Sequence, residues 1–243
     1  LKTSSLSQRT PSTAKFCHTE QSKAMGCTNS LPPAEEFIVK HKKESMNIVD
    51  ELVNEEKMFQ VCVKEKLFSW SGDTFMIKKG DGSNFLEVKG VVMTMRDRMV
   101  LRDLSGNPIA VCLRKMMSLE SSFYIYTLKP RISGQPASSE TEGDAPLYSY
   151  AKVNKDMMTM PQSYTIYMAT GHDEFDSGSY KGESPGLGSP KMSVSKEGQG
   201  ACLIDRAVFE FDCANCYTLT IAPGIDPALM ICFVAIRDEL KEK

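Results

Sequence analysis

Five groups of side chains have types and spacing that bear on chemistry. The pair Cys213 and Cys216 has the separation of a zinc half-site or a redox dithiol. A structural zinc needs four ligands, and no second Cys or His pair follows at finger spacing. Redox use needs the pair at a helix start, where the thiolate is stabilised. Here it lies between two strand-like runs, so it reads as a turn carrying two thiols, with no metal. His172-Asp173-Glu174 with Asp176 clusters oxygens suited to a hard cation, but off the twelve-residue EF-hand pattern. It reads as a solvated acidic loop. The three histidines, His18, His41 and His172, accompany no Gly-x-Ser-x-Gly elbow and no phosphate-binding loop. The expectation is a protein that is not an enzyme and needs no cofactor.

The fourth group is Met25-Gly26-Cys27-Thr28-Asn29-Ser30. If translation starts at Met25, Gly26 is a myristoylation site and Cys27 beside it a palmitoylation site. Two acyl chains give stable anchoring where one is marginal. If translation starts upstream of Leu1, the match is internal and inert. The fifth group is basic: Lys78, Lys79 and Lys89, then Arg96, Arg98 and Arg102, then Arg114 and Lys115. Alternate strand positions share a face, so some of these form one outward surface. Such a patch attracts anionic headgroups at about 1 kcal/mol per charge. The alternative is a set of solvated charges balanced by Asp81, Asp97 and Asp103.

What must position these residues is legible further along. Asp226 is a good N-cap and Pro227 suits the first helical position. Ala228 to Ile236 is then apolar without a break, and Arg237 to Lys243 is mostly charged. A helix apolar all round is enclosed by protein or by lipid. A bilayer needs about 20 such residues, so this run is too short to span one. It predicts a helix enclosed by its own domain, its charged end emerging into water.

Short β runs with turn signals between them supply the enclosure: Phe59–Val63, Phe75–Lys78, Phe85–Val88, Val91–Met95, Met99–Arg102, Ile109–Arg114, Phe123–Leu128, Leu147–Val153, Ser163–Met168, Met192–Ser195, Ala201–Phe211 and Tyr217–Ala222. About twelve strands at this spacing indicate a barrel or sandwich. Phe75–Val88 and Met99–Cys112 form a partial repeat, two hairpins turning at Gly82 and Gly106. Arg131 to Ala145 reads as a polar, mobile insertion, and Thr170 to Pro190 as a long Gly/Ser/Pro loop. Residues 1–44 read as a disordered tail with a Pro-bearing linker at its end. Residues 45–58 read as a short amphipathic helix, and 59–243 as the barrel domain.

The chain of 243 residues carries a net charge near neutral, −2, which implies no nucleic-acid partner. Its eight cysteines are mostly single and several lie inside apolar runs, which suits a reducing, cytoplasmic setting. Neither a secretory signal nor a transmembrane run is visible.

Several stretches together resemble the LURP-one-related family of the Tubby C-terminal-like superfamily, distantly related to phospholipid scramblases. They are Val88-Lys89-Gly90-Val91, Met95 to Asp103, Gly106-Asn107-Pro108-Ile109, Leu113-Arg114-Lys115, Ser118-Leu119, and Pro223-Gly224-Ile225-Asp226 heading the apolar helix. The similarity covers roughly Glu55 to Lys243. It implies a twelve-stranded antiparallel barrel closed around a central C-terminal helix. Family barrels have a short Asp-Gly turn where this chain has Thr170 to Pro190. Tubby proteins bind phosphoinositides, so the resemblance implies a membrane-peripheral protein; the expected oligomeric state is a monomer. Its barrel would bind anionic phospholipid or a protein partner. A scramblase-like lipid transporter and a soluble defence or signalling scaffold are the alternatives.

Overall fold

Period-two alternation builds the wall. In β4 (Arg98–Arg102), Met99 and Leu101 face the interior while Arg98, Val100 and Arg102 face out. The computed structural model describes residues 30–44, 47–64, 74–90, 98–115, 122–156, 159–187, 189–206 and 216–241. The strands before β4 are β1 (Phe59–Lys64), β2 (Thr74–Lys79) and β3 (Asn84–Gly90). After it come β5 (Pro108–Arg114), β6 (Ser122–Thr127), the two-residue β7 (Thr141–Glu142) and β8 (Ala145–Pro146), and β9 (Tyr148–Lys155). The last are β10 (Ser163–Met168), β11 (Tyr180–Glu183), β12 (Met192–Lys196), β13 (Gln199–Arg206) and β14 (Cys216–Ile221). Helix α1 is a single turn, Ala34–Phe37, and α2 is Pro227–Lys241.

Twelve of these strands close a fully antiparallel barrel in the order β1-β14-β13-β12-β11-β10-β9-β6-β5-β4-β3-β2, with β7–β8 a separate hairpin. Closure leaves no exposed sheet edge. The partial repeat is physical. Both hairpins turn at a glycine of positive φ, Gly82 and Gly106, and both bulge at equivalent places, Ile77/Lys78 and Leu101/Arg102. Asp81 and Asp103 accept hydrogen bonds within their own turns, which holds each carboxyl below its usual range.

Helix α2 fills the barrel. Every residue from Ala228 to Ile236 is buried, which explains the absence of a polar stripe. Asp226 caps it as expected, accepting from the N–H groups of Ala228 (2.8 Å) and Leu229 (3.4 Å). The charged end does not emerge as expected. Arg237 has no exposed surface; it donates to the carbonyls of Ser189 (3.3 Å) and Pro190 (2.6 Å) and lies 5.5 Å from the Tyr217 ring centre. Tyr217 in turn donates to Asp238 at 3.0 Å. The reason is length. The nine apolar residues Ala228 to Ile236 span about 13 Å of helix, whereas an eight-residue strand such as β9, tilted as barrel strands are, covers about 20 Å along the axis. The wall therefore outruns the apolar stretch.

Four other expectations are corrected. The barrel includes β11 inside the supposed Thr170–Pro190 loop, where Gly182 and flanking Gly, Ser and Pro hid it. A Cβ on Gly182 would meet Phe233 of α2 and Met192 at 2.9 Å each, so the helix dictates this glycine against strand propensity. The expected strand Val91–Met95 lies outside the described residues, and β3 pairs directly with β4. Residues 30–44 are no loose tail. They strap the barrel end where α2 begins, with Val39 N–H bonded to Gly200 O, and His41 bonded to Gly200 O through its ring and to Pro223 O through its N–H. Residues 47–58 hold one 3-10 turn, Asp50–Leu52, in place of an amphipathic helix. The flanking Val49 and Val53 are extended, because Ile48 N–H is taken by Asp226 and Asn54 O by Gly224. Nor is 131–145 a free insertion, as its contacts below show.

Candidate functional site

The outer face of β4, β5, β6 and β9 is not a plain solvated surface. Val100, Val111, Leu113, Tyr124, Tyr126 and Leu147 form a second apolar cluster there, with Leu128 and Phe175 packed against it. The loop after β6 covers it. Gln135 is buried and donates to Ser149 O and Gly171 O, and Ser138 N–H bonds Leu147 O. At the hairpin, Glu142 is paired with both Arg98 and Arg102. The signal for this cover was in β6: Tyr124 and Tyr126 alternate with Phe123 and Ile125, so both faces of that strand need shelter.

Those contacts sort the predicted basic residues. Arg98 and Arg102 are spent holding the hairpin. Lys79 leans over the Phe85 ring at 5.7 Å. Lys78 and Lys89 are exposed at opposite ends of the β2–β3 hairpin, opposite Asn84 and Thr74 respectively. Arg96, with Gly26, Cys27 and Cys213, lies outside the described residues; Cys216 opens β14, buried. Besides Arg98 and Arg102, which meet on Glu142, Arg114 and Lys115 are the members of the set that come together among the described residues. They border a cleft of about 120 Å³ whose other walls are Tyr124 and Tyr126, Ser138 to Glu140, and His172-Asp173. Lys115 Nζ stands 5.0 Å above the Tyr124 ring, and His172 Nδ1 is 3.8 Å from Asp173. The two long loops, separate in sequence, thus converge on the end of β5.

The acidic group does not gather as a cation site. Asp176 is turned to the N–H groups of Met168 and Gly178 and the Ser179 hydroxyl. Among the described residues no three metal-ligating side chains cluster.

Sequence reasoning missed a polar knot at the start of α2. Glu44 accepts from Lys196 (2.6 Å), Arg131 (3.1 Å) and Tyr180 (3.2 Å). Burial pulls the Glu44 carboxyl up, but these cations outweigh it and leave it below its usual value. Asp226 accepts from Ile48 N–H (2.6 Å) and Tyr150 (3.3 Å) besides capping the helix. Burial raises it from 3.8 to about 6, against the pull of those donors. A raised carboxyl favours the fold most below its unfolded value and loses that contribution as pH rises through its folded one. Unfolding free energy should therefore fall by on the order of 3 kcal/mol between about pH 4 and pH 6 from this group. Glu44 acts oppositely at the acid end, so the comparison needs Asp226→Asn, which keeps a capping oxygen and removes the titration. Urea unfolding across that pH range should show a shallower decline for Asp226→Asn than for the wild type; parallel curves would contradict the assignment.

Among the curated proteins compared, none matches this chain. Among solved structures, an X-ray structure of a protein from Arabidopsis thaliana is similar over 82% of this chain and 99% of that one, at TM-score 0.54 and 15% identity. At that identity the likeness is one of fold. A family model described as LURP-one-related matches residues 59–238, the closed wall and nearly all of its central helix. The chain belongs to the LURP-one-related family.

Proposed function

We propose that this is a non-enzymatic peripheral membrane protein whose outer wall binds anionic phospholipid headgroups at the Arg114–Lys115 cleft. The observation that carries the reading is the convergence of those two cations with Tyr124, Tyr126, Ser138 and Ser139 on an outer surface, beside the carboxylates of Glu140 and Asp173. The interior supports it by exclusion: α2 occupies the barrel axis, so a ligand must be met outside. The same packing weighs against lipid transport through the barrel, since α2 is the core, and no helix among the described residues is long and apolar enough to cross a membrane. In a chain begun at Met25, acyl groups on Gly26 and Cys27 would add to headgroup binding, which alone is salt-sensitive.

The test is co-sedimentation of the full, unacylated chain with vesicles of neutral lipid, with and without a phosphoinositide. Binding should require the anionic lipid and weaken with salt. Arg114→Ala with Lys115→Ala removes about 2 kcal/mol, roughly a thirtyfold loss. Equal binding to neutral and anionic vesicles, or none to either, would overturn the proposal. Recovery of a protein partner through the same cleft would favour a scaffold instead.

A further inference from the structure

Two loop tips at the barrel end where α2 finishes carry apolar side chains that stand exposed among the described residues. Met160, between β9 and β10, is 86% exposed, and Leu187, between β11 and β12, is 75% exposed. They are the two most exposed large apolar side chains among the described residues; the next, Leu104, is 58% exposed and lies in the β4–β5 turn at the other end. The tips are neighbours. Strands β10 and β11 pair from Ser163↔Glu183, and Ser184 N–H bonds Gln162 O at 3.1 Å across the two loops.

Both tips are held from beneath. Ser163 and Thr165 donate to the Asp156 carboxylate, and the Thr159 hydroxyl donates to Asp156 O, which frames the first loop. Arg237, buried at the end of α2, grips Ser189 O and Pro190 O and frames the second. The described tips, Thr159 to Gln162 and Ser184 to Leu187, contain no charged residue in a chain that is 25% charged. Hydrogen-bonded frames reduce the ordering entropy lost when the apolar side chains they present are buried.

We infer that Met160 and Leu187 insert together into the headgroup–acyl boundary of a bilayer. The occupant follows from the shape. A stable protein partner needs a contiguous, complementary surface of about 800 Å² per side. Two prongs, single side chains on adjoining tips, offer far less, whereas a bilayer interface closes around each side chain it receives. The end of β5, with Lys115, lies at this same barrel end, so prongs and headgroup cleft face one membrane. The strap holding Ser30 lies at the opposite end, so insertion is separable from any acyl anchor at Gly26. This inference rests on the membrane-binding reading above.

The test uses the full unacylated chain and vesicles of mixed neutral and anionic lipid. Met160→Glu with Leu187→Glu should reduce affinity at least about tenfold at high salt, where charge attraction is screened. Its thermal unfolding should match the wild type, because both positions are solvent-exposed. Separately, the emission added by Met160→Trp should move to the blue on vesicles and be quenched by brominated lipid. A wild type that binds no vesicle defeats both readings. A wild type that binds, with the double Glu variant unimpaired and the new Trp emission unchanged, defeats only the insertion and leaves headgroup binding standing. Capture of these tips by a protein, with no effect of lipid, also overturns it.

Discussion

Phe233→Asp is expected to leave the chain without a cooperative fold. Phe233 has no exposed surface, meets the Tyr164 ring edge-on at 6.1 Å, and fills the space left by the missing side chain of Gly182. A carboxylate at that point would sit on the barrel axis with no water to reach it. It loses the aromatic contacts and adds the cost of an unpaired buried charge, together above about 5 kcal/mol. A domain holds about 5–15 kcal/mol in total. Phe233→Ala is the informative companion, losing about 3–5 kcal/mol by cavity formation while keeping two-state unfolding. Circular dichroism and urea unfolding check both. A native-like melt of Phe233→Asp would mean the helix face is wet.

The second large effect lies at the strap. Gly200→Val is expected to expel residues 30–44 from the barrel end. A Cβ on Gly200 would overlap the Phe37 carbonyl oxygen, which is backbone and cannot swing aside. Gly224, at φ +84°, faces the His41 carbonyl in the same way. With the strap displaced, the hydrogen bonds of Val39 and His41 to Gly200 are lost, and with them the bonds of Glu44 to Arg131, Lys196 and Tyr180. Removing part of a buried ionic network costs about 3–5 kcal/mol. Limited proteolysis should cut the Gly200→Val chain between residues 30 and 58 much faster than the wild type. A Gly200→Val strap cleaved as slowly as the native one would refute the close crossing.

The helix and its enclosure were legible because they rest on local rules. An unbroken apolar run behind Asp226-Pro227 has one soluble solution, and alternation marks the strands that supply it. What stayed hidden depends on contacts between distant residues. Strand β11 reads as a loop because Gly182 answers to Phe233, fifty-one positions on in the sequence. Arg237 reads as a solvated charge because nothing local states how far the wall extends past it. Arg98 and Arg102 read as a headgroup patch because their partner, Glu142, lies forty or more positions away in a loop whose composition suggests mobility. His41 reads as a tail residue because its acceptor, Gly200 O, lies 159 positions away. Of the expected binding residues, Arg114 and Lys115 are brought together because they are adjacent in sequence at one strand end, one reason the cleft was within reach of sequence reasoning.

Hydrogen–deuterium exchange along α2 examines the enclosure itself. The backbone amides of Leu229 to Ile236 should be the slowest in the chain and should exchange only at the rate of global unfolding, with urea accelerating them in step with the loss of circular dichroism. Exchange of those amides within minutes under native conditions, ahead of the strands around them, would show that the helix leaves the barrel and that the wall does not depend on it.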